Sequence, residues 1–140
     1  MDIGKWKEMF DINVHGLFYM TKISIPGMKN LKEGHIVNVA SIAGTMGSEN
    51  LSGYCGTKFA VRGISQSLFK ELRNDGIKVS CVMPGSVQTG FFHSMKDLKP
   101  ADNMLSPADV AATIVHLLQS PENCLHSEVE LRPLIPKGKK

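Results

Sequence analysis

Gly34-His35-Ile36-Val37-Asn38-Val39-Ala40-Ser41 is a short β-branched run that closes on small residues. A run of this kind reads as a buried strand opening into a loop. Before it, from residue 4 to about residue 30, Trp6, Met9, Phe10, Val14, Leu17, Phe18, Tyr19, Ile23 and Ile25 recur at helical spacing and wrap most of the surface. That pattern predicts a helix buried on more than one side, with Pro26-Gly27 as a point where it kinks or stops. After it, Phe59, Val61, Ile64, Leu68 and Leu72 predict a second helix over 52–74, halted at Asp75-Gly76. Lys78-Val79-Ser80-Cys81-Val82-Met83 then predicts a second buried strand, broken by Pro84-Gly85. An irregular stretch leads to Ser106-Pro107-Ala108-Asp109, a helix start with a serine cap, a proline in the first turn and an acid beside it. That helix is expected to end near Gln119, and Glu128-Val129-Glu130-Leu131 alternates as a third strand. Strands joined by helices pair in parallel through right-handed crossovers, so the expected fold is α/β, a partial doubly wound parallel sheet with helices on both faces. The run from Ile36 to Ala40 is apolar on both faces, yet nothing ahead of the first helix is available to pair with its far edge. Such an edge invites unwanted pairing.

Composition narrows the class of molecule. The chain has 140 residues, 42% of them hydrophobic and 21% charged, and a formal net charge of +3. These values suit one globular domain over 1–140 and argue against intrinsic disorder. Cys55, Cys81 and Cys124 are odd in number and lack a C-x-x-C spacing, which points away from a disulfide framework and a cysteine zinc site. No metal site is expected. There is no apolar run of the roughly 20 residues that would span a bilayer, and the first ten residues lack the order of a signal peptide. A cytoplasmic location, with no membrane partner, follows as the expectation. Lys137, Lys139 and Lys140 equal the whole positive surplus. The basic tail over 136–140 therefore reads as a solvated terminus, and no nucleic-acid partner is expected.

Ligands of open α/β sheets bind beyond the carboxyl ends of the strands. The first strand delivers Ser41 there, the second delivers Pro84-Gly85, and the second helix brings Tyr54 and Lys58 in its opening turns. Four residues apart, Tyr54 and Lys58 share a helix face. A phenol with an ordinary pKa of about 10 needs a neighbouring cation to act near neutrality, and Lys58 is placed to supply one. A hydroxyl such as that of Ser41 would hold a carbonyl or alcohol oxygen. Taken singly, each residue has a plainer reading. Tyr54 and Lys58 make a solvated pair, Ser41 a capping serine, Pro84-Gly85 a turn, and Asn13 a tolerated polar residue in a helix.

The combination points further. Asn13-Val14-His15-Gly16, then Ile36-Val37-Asn38-Val39-Ala40-Ser41-Ile42-Ala43-Gly44, then Tyr54-Cys55-Gly56-Thr57-Lys58, then Pro84-Gly85-Ser86-Val87-Gln88-Thr89 resemble the short-chain dehydrogenase/reductases in order and spacing. Ala40 stands where many members have a second serine, and Gly56-Thr57 replaces the common Ala-Ser. The resemblance implies a Rossmann-like fold and NAD- or NADP-dependent interconversion of a carbonyl and an alcohol on a small molecule. It implies that Tyr54 is the general acid or base, that Lys58 tunes it and binds the nicotinamide ribose, and that Ser41 holds the substrate oxygen. Asn13 would hold a water in a relay to Lys58. Pro84, Gly85, Val87 and Thr89 would meet the nicotinamide carboxamide, and residues 90–105 would form a substrate lid. No G-x-x-x-G-x-G turn follows a strand in this chain, so the cofactor-binding N-terminal half of the family is absent and the chain resembles the C-terminal catalytic portion. The family also implies a homo-oligomer through helices 4–30 and 52–74. The alternative is a catalytically incompetent homologue or association module.

Overall fold

The computed structural model describes residues 2–90 and 103–135. Three parallel strands form its sheet in the order β1 (Gly34–Val39), β2 (Ile77–Pro84), β3 (Glu128–Leu131). β1 meets β2 from Gly34 against Ile77 to Val39 against Val82, and β2 meets β3 from Cys81 against Glu128 to Pro84 against Leu131. Every described strand expected from the sequence is present in the expected order.

Side chains alternate across this sheet as the pleat requires. Ile36, Ile77 and Val79 pack with Leu72 on one face, where Ile25 and Met28 of α2 (Gly16–Leu31) and Leu68 and Phe69 of α3 (Ser52–Leu72) cover them. Ala40, Cys81, Met83 and Val61 continue that layer towards the carboxyl ends, closed by Leu17. Lys78 and Ser80 point the other way. The Lys78 ammonium donates to the carbonyl of Ser120 at 3.0 Å, just past the end of α4 (Pro107–Leu118), which sets α4 on this second face. Helices thus lie on both faces. α4 begins as its sequence foretells, with Ser106 and Asp109 exchanging side-chain and backbone hydrogen bonds in a capping box ahead of Pro107.

The first helix departs from expectation in two ways. It ends at Leu31, close to the expected boundary and past Pro26, but between α1 (Ile3–Phe10) and α2 it passes through a π-helical turn at Asp11–His15 that was not expected. Its irregularity falls at the π turn and not at Pro26-Gly27 as a stop. Nor is it buried on more than one side: among α1, the π turn and α2 only Thr21 is buried, while Ile12, Phe18, Tyr19, Met20 and Ile23 are more than half exposed. With three described strands, the sheet offers this helix one layer to pack on, and its outer apolar face stays in solvent. Among the described residues β1 is an edge strand, as its neighbours in sequence suggested.

Candidate active site

The ladder between β1 and β2 continues one residue past β1, where the Ala40 amide donates to the Val82 carbonyl at 2.8 Å. Ser41 leaves the sheet there in an extended conformation and caps a short 3-10 turn, Ile42–Gly44. Its Oγ accepts from the Ala43 amide at 3.1 Å and donates to the Pro84 carbonyl at 3.4 Å, tying the ends of the two strands together. Gly44 brings that turn against α3. A Cβ at this position would lie 2.7 Å from the backbone oxygen of Lys58, so only glycine allows the approach.

On α3, Tyr54 and Lys58 stand on one face one turn apart, with the Lys58 ammonium 5.7 Å from the centroid of the Tyr54 ring. The same ammonium donates to the Val39 carbonyl at 3.1 Å. Burial holds the Lys58 pKa below the ordinary lysine value, and the neighbouring Cys81 opposes that shift. Further along this face the buried Asn38 amide of β1 donates to Ser65 Oγ at 2.9 Å, and Ser65 in turn donates to the Val61 carbonyl. A buried polar pair of this kind stabilises by about 1 kcal/mol and fixes one register between helix and strand. It holds α3, and with it Tyr54 and Lys58, over β1.

Asn13 reaches the site from the π turn, which is identified by the Gly16 amide donating to the Asp11 carbonyl. Such one-turn bulges add a residue to the helix and redirect its side chains. The Asn13 amide nitrogen sits 3.2 Å from Thr57 Oγ1, so it meets the residue before Lys58 and not Lys58 itself. Thr57, Asn38 and Ser65 were not singled out by sequence reasoning. Their signal was a polar residue at a core-facing position, Asn38 between Ile36 and Ala40 being the plainest case.

At the end of β2, Gly85 donates its amide to the Leu131 carbonyl at 2.7 Å, and a Cβ there would lie 3.2 Å from both that oxygen and Pro133. Beyond it Val87 bridges to Leu105 in parallel, with Leu105 bonded to the Ser86 carbonyl and the Gln88 amide. The Val87 amide and carbonyl therefore face away from Leu105. A cleft of about 550 Å³ opens at these strand ends. Ser41, Tyr54, Lys58, Pro84, Gly85, Val87 and Thr89 all line it, together with apolar Val39, Ile42, Met46, Leu51 and Val110. Asn13 is the one expected site residue outside its lining. Of the expected lid, positions 91–102 lie outside the described residues, as does the basic tail.

This is a cleft with a phenol, an ammonium and a hydroxyl converging in it, the equipment for moving a proton to or from a bound oxygen. Residues 1–99 match the family model for short chain dehydrogenase. The chain belongs to the short-chain dehydrogenase family. An uncharacterised oxidoreductase of Staphylococcus aureus (strain MRSA252) is 34% identical over 133 residues, covering 94% of this chain and 56% of that protein. Serine dehydrogenase from Escherichia coli superposes with a TM-score of 0.82 at 28% identity, over 94% of this chain and 54% of that one. A 3-oxoacyl-[acyl-carrier protein] reductase with bound NAD from Brucella melitensis gives 0.81 at 28% identity, over 95% and 52%. The closed form of serine dehydrogenase complexed with NADP+ gives 0.84 at 27% identity, over 94% and 56%. This member of the family thus spans about half the length of the relatives it matches. Among the described residues, no helix is long and apolar enough to cross a membrane.

Proposed function

We propose that this chain is the C-terminal, catalytic portion of an NAD- or NADP-dependent oxidoreductase that interconverts a carbonyl and an alcohol. The observation that carries the reading is the convergence of Tyr54, Lys58 and Ser41 with Pro84, Gly85 and Val87 on one cleft at the carboxyl ends of β1 and β2. The residues present fit a nicotinamide nucleotide. Gly85 keeps the cleft floor at backbone level, the Val87 amide and carbonyl face away from their strand partner, and Lys58 offers an ammonium to ribose hydroxyls. A bound nicotinamide would deliver hydride to, or take it from, the substrate carbon.

The chain's own groups manage the oxygen. Tyr54 donates its phenolic proton to the carbonyl oxygen in reduction and withdraws it in oxidation. The Lys58 charge beside the ring stabilises the negative charge that develops on the phenol oxygen during transfer. Ser41, held by Ala43 and Pro84, hydrogen-bonds the same substrate oxygen. Asn13 takes the role of holding a relay water near Lys58. Val39, Ile42, Met46, Leu51 and Val110 give the cleft an apolar wall beside the reacting groups.

Tyr54→Phe tests the reading in a polypeptide that carries both halves of the fold. Turnover should fall about 10²–10⁴-fold, the usual worth of a positioned acid or base, with cofactor affinity retained. Undiminished turnover would remove Tyr54 from the mechanism.

The alternative is an association module without catalysis, and the exposure of the apolar side chains Phe18, Tyr19, Met20 and Ile23 on α2 and Phe59 on α3 is the observation that favours it. Calorimetric titration of this chain with NAD and NADP separates the two readings: no binding at millimolar nucleotide favours the module. Under either reading these exposed side chains serve a homo-oligomer through α1, α2 and α3. Sedimentation should show a species larger than a monomer at micromolar concentration, and a clean monomer would contradict this.

A further inference from the structure

Thr57 lies between Asn13 of the π turn and Tyr54 and Lys58 of α3, and sequence reasoning gives it no role. Its side chain is fully buried, at 0% exposure. Its Oγ1 accepts from the Asn13 amide nitrogen at 3.2 Å and donates to the backbone carbonyl of Tyr54 at 2.8 Å. One hydroxyl therefore joins the π turn of the first helix to the opening turn of α3. At the same contact the tip of the Phe10 ring lies 3.8 Å from where a Cβ of Gly56 would be, so the first helix also packs a side chain on this turn of α3. A threonine inside a helix commonly bonds back to a carbonyl three or four residues earlier, which alone is a local matter. The Asn13 contact, 44 residues away in sequence, is not local.

We propose that Thr57 is a positioning residue, whose buried hydroxyl fixes the π turn bearing Asn13 to the turn bearing Tyr54 and Lys58, so that the three side chains hold one relative arrangement. This rests on the reading of Asn13, Tyr54 and Lys58 as the reacting site. The π turn supplies the reach. It adds a residue to the helix just where Asn13 must turn towards α3, and the Asn13–Thr57 hydrogen bond uses that reach. Thr57→Val keeps the shape and deletes both hydrogen bonds, so the opening turns of α3 lose their tie to the π turn, and the Lys58 ammonium, which lines the cleft, is expected to shift further into water. Thr57→Ser keeps the hydroxyl.

The experiment follows the Lys58 side chain in the 140-residue protein by carbon NMR of its ε-methylene, assigned by its disappearance in Lys58→Arg. In Thr57→Val, with native circular dichroism, Lys58 should bind its proton at least about threefold more tightly than in the parent, as a hydrated lysine does. Thr57→Ser should restore the parent titration. Asn13→Ala should reproduce the valine variant and add little to it in the double substitution, and it carries the test if the valine variant does not fold. Identical Lys58 titrations in parent, Thr57→Val and Asn13→Ala would overturn the proposal, and so would a loss of stability alone. A polypeptide with both halves that turns over no substrate in any variant would count against the catalytic reading and leave this titration result standing.

Discussion

β1 and β2 have sequences of similar apolar character and lie in one parallel ladder, but they differ in how they are buried. β2 is covered throughout, with Val79, Cys81, Val82 and Met83 all at 4% exposure or less. β1 has Ile36 and Asn38 buried on the side that α2 and α3 cover, while Val39, on the opposite side, is 46% exposed. The reason is position. β2 has β1 on one flank, β3 on the other along Cys81–Pro84, and helices on both faces, whereas among the described residues β1 has one neighbouring strand. Burial is therefore a property of the place a strand takes in the sheet, and the candidate site residues gather where the better-covered strand and the edge strand end side by side.

The contrast is sharpest in a pair of substitutions. Ile77→Ala removes a buried side chain from the cluster of Ile36, Leu72 and Val79 and should cost about 2–5 kcal/mol of unfolding free energy in urea titrations. Val39→Ser, on the exposed side of β1, should stay within about 0.5 kcal/mol. Equal losses at the two positions would mean that β1 is covered in solution and that the contrast between the strands is wrong.

A smaller effect should come from the start of the same two strands. His35 of β1 shares a hydrogen bond of 2.8 Å with the buried Ser80 of β2. Burial, then Lys78, then His126 hold the His35 pKa below its ordinary value. The unfolded chain therefore takes up this proton first as pH falls. Stability from this group is complete above the unfolded value of about 6.5 and drains away as pH drops below it towards the folded value. His35→Gln should flatten the slope of unfolding free energy over that window. An unchanged slope would assign the pH dependence to other groups.

Much of this could be read directly from residues. Glu128 to Leu131, the capping box at Ser106 and the stop at Gly76 each depend on neighbours within four residues, and local chemistry of that range is visible in a sequence. Tyr54 and Lys58 share a face because helical spacing dictates it. Ser41 and Pro84 come together because parallel strands in register end at the same level. The exposed outer face of α2 was misjudged, since the same apolar side chains fit burial or exposure equally well. The π turn gives no periodic signal of its own, because one extra residue only shifts the phase of the pattern.

By itself, then, the sequence determined the elements, their order, their parallel pairing and the family to which the chain belongs, all of which follow from short-range periodicity, caps and spaced motifs. Tertiary structure alone decided that Asn13 meets Thr57 and not Lys58, that Gly44 must be glycine to let the Ser41 turn touch α3, and that Lys58 reaches the Val39 carbonyl. The physical reason is distance along the chain. These contacts join residues separated by up to 44 positions, and their geometry depends on how helices lie across the sheet, which no local pattern encodes.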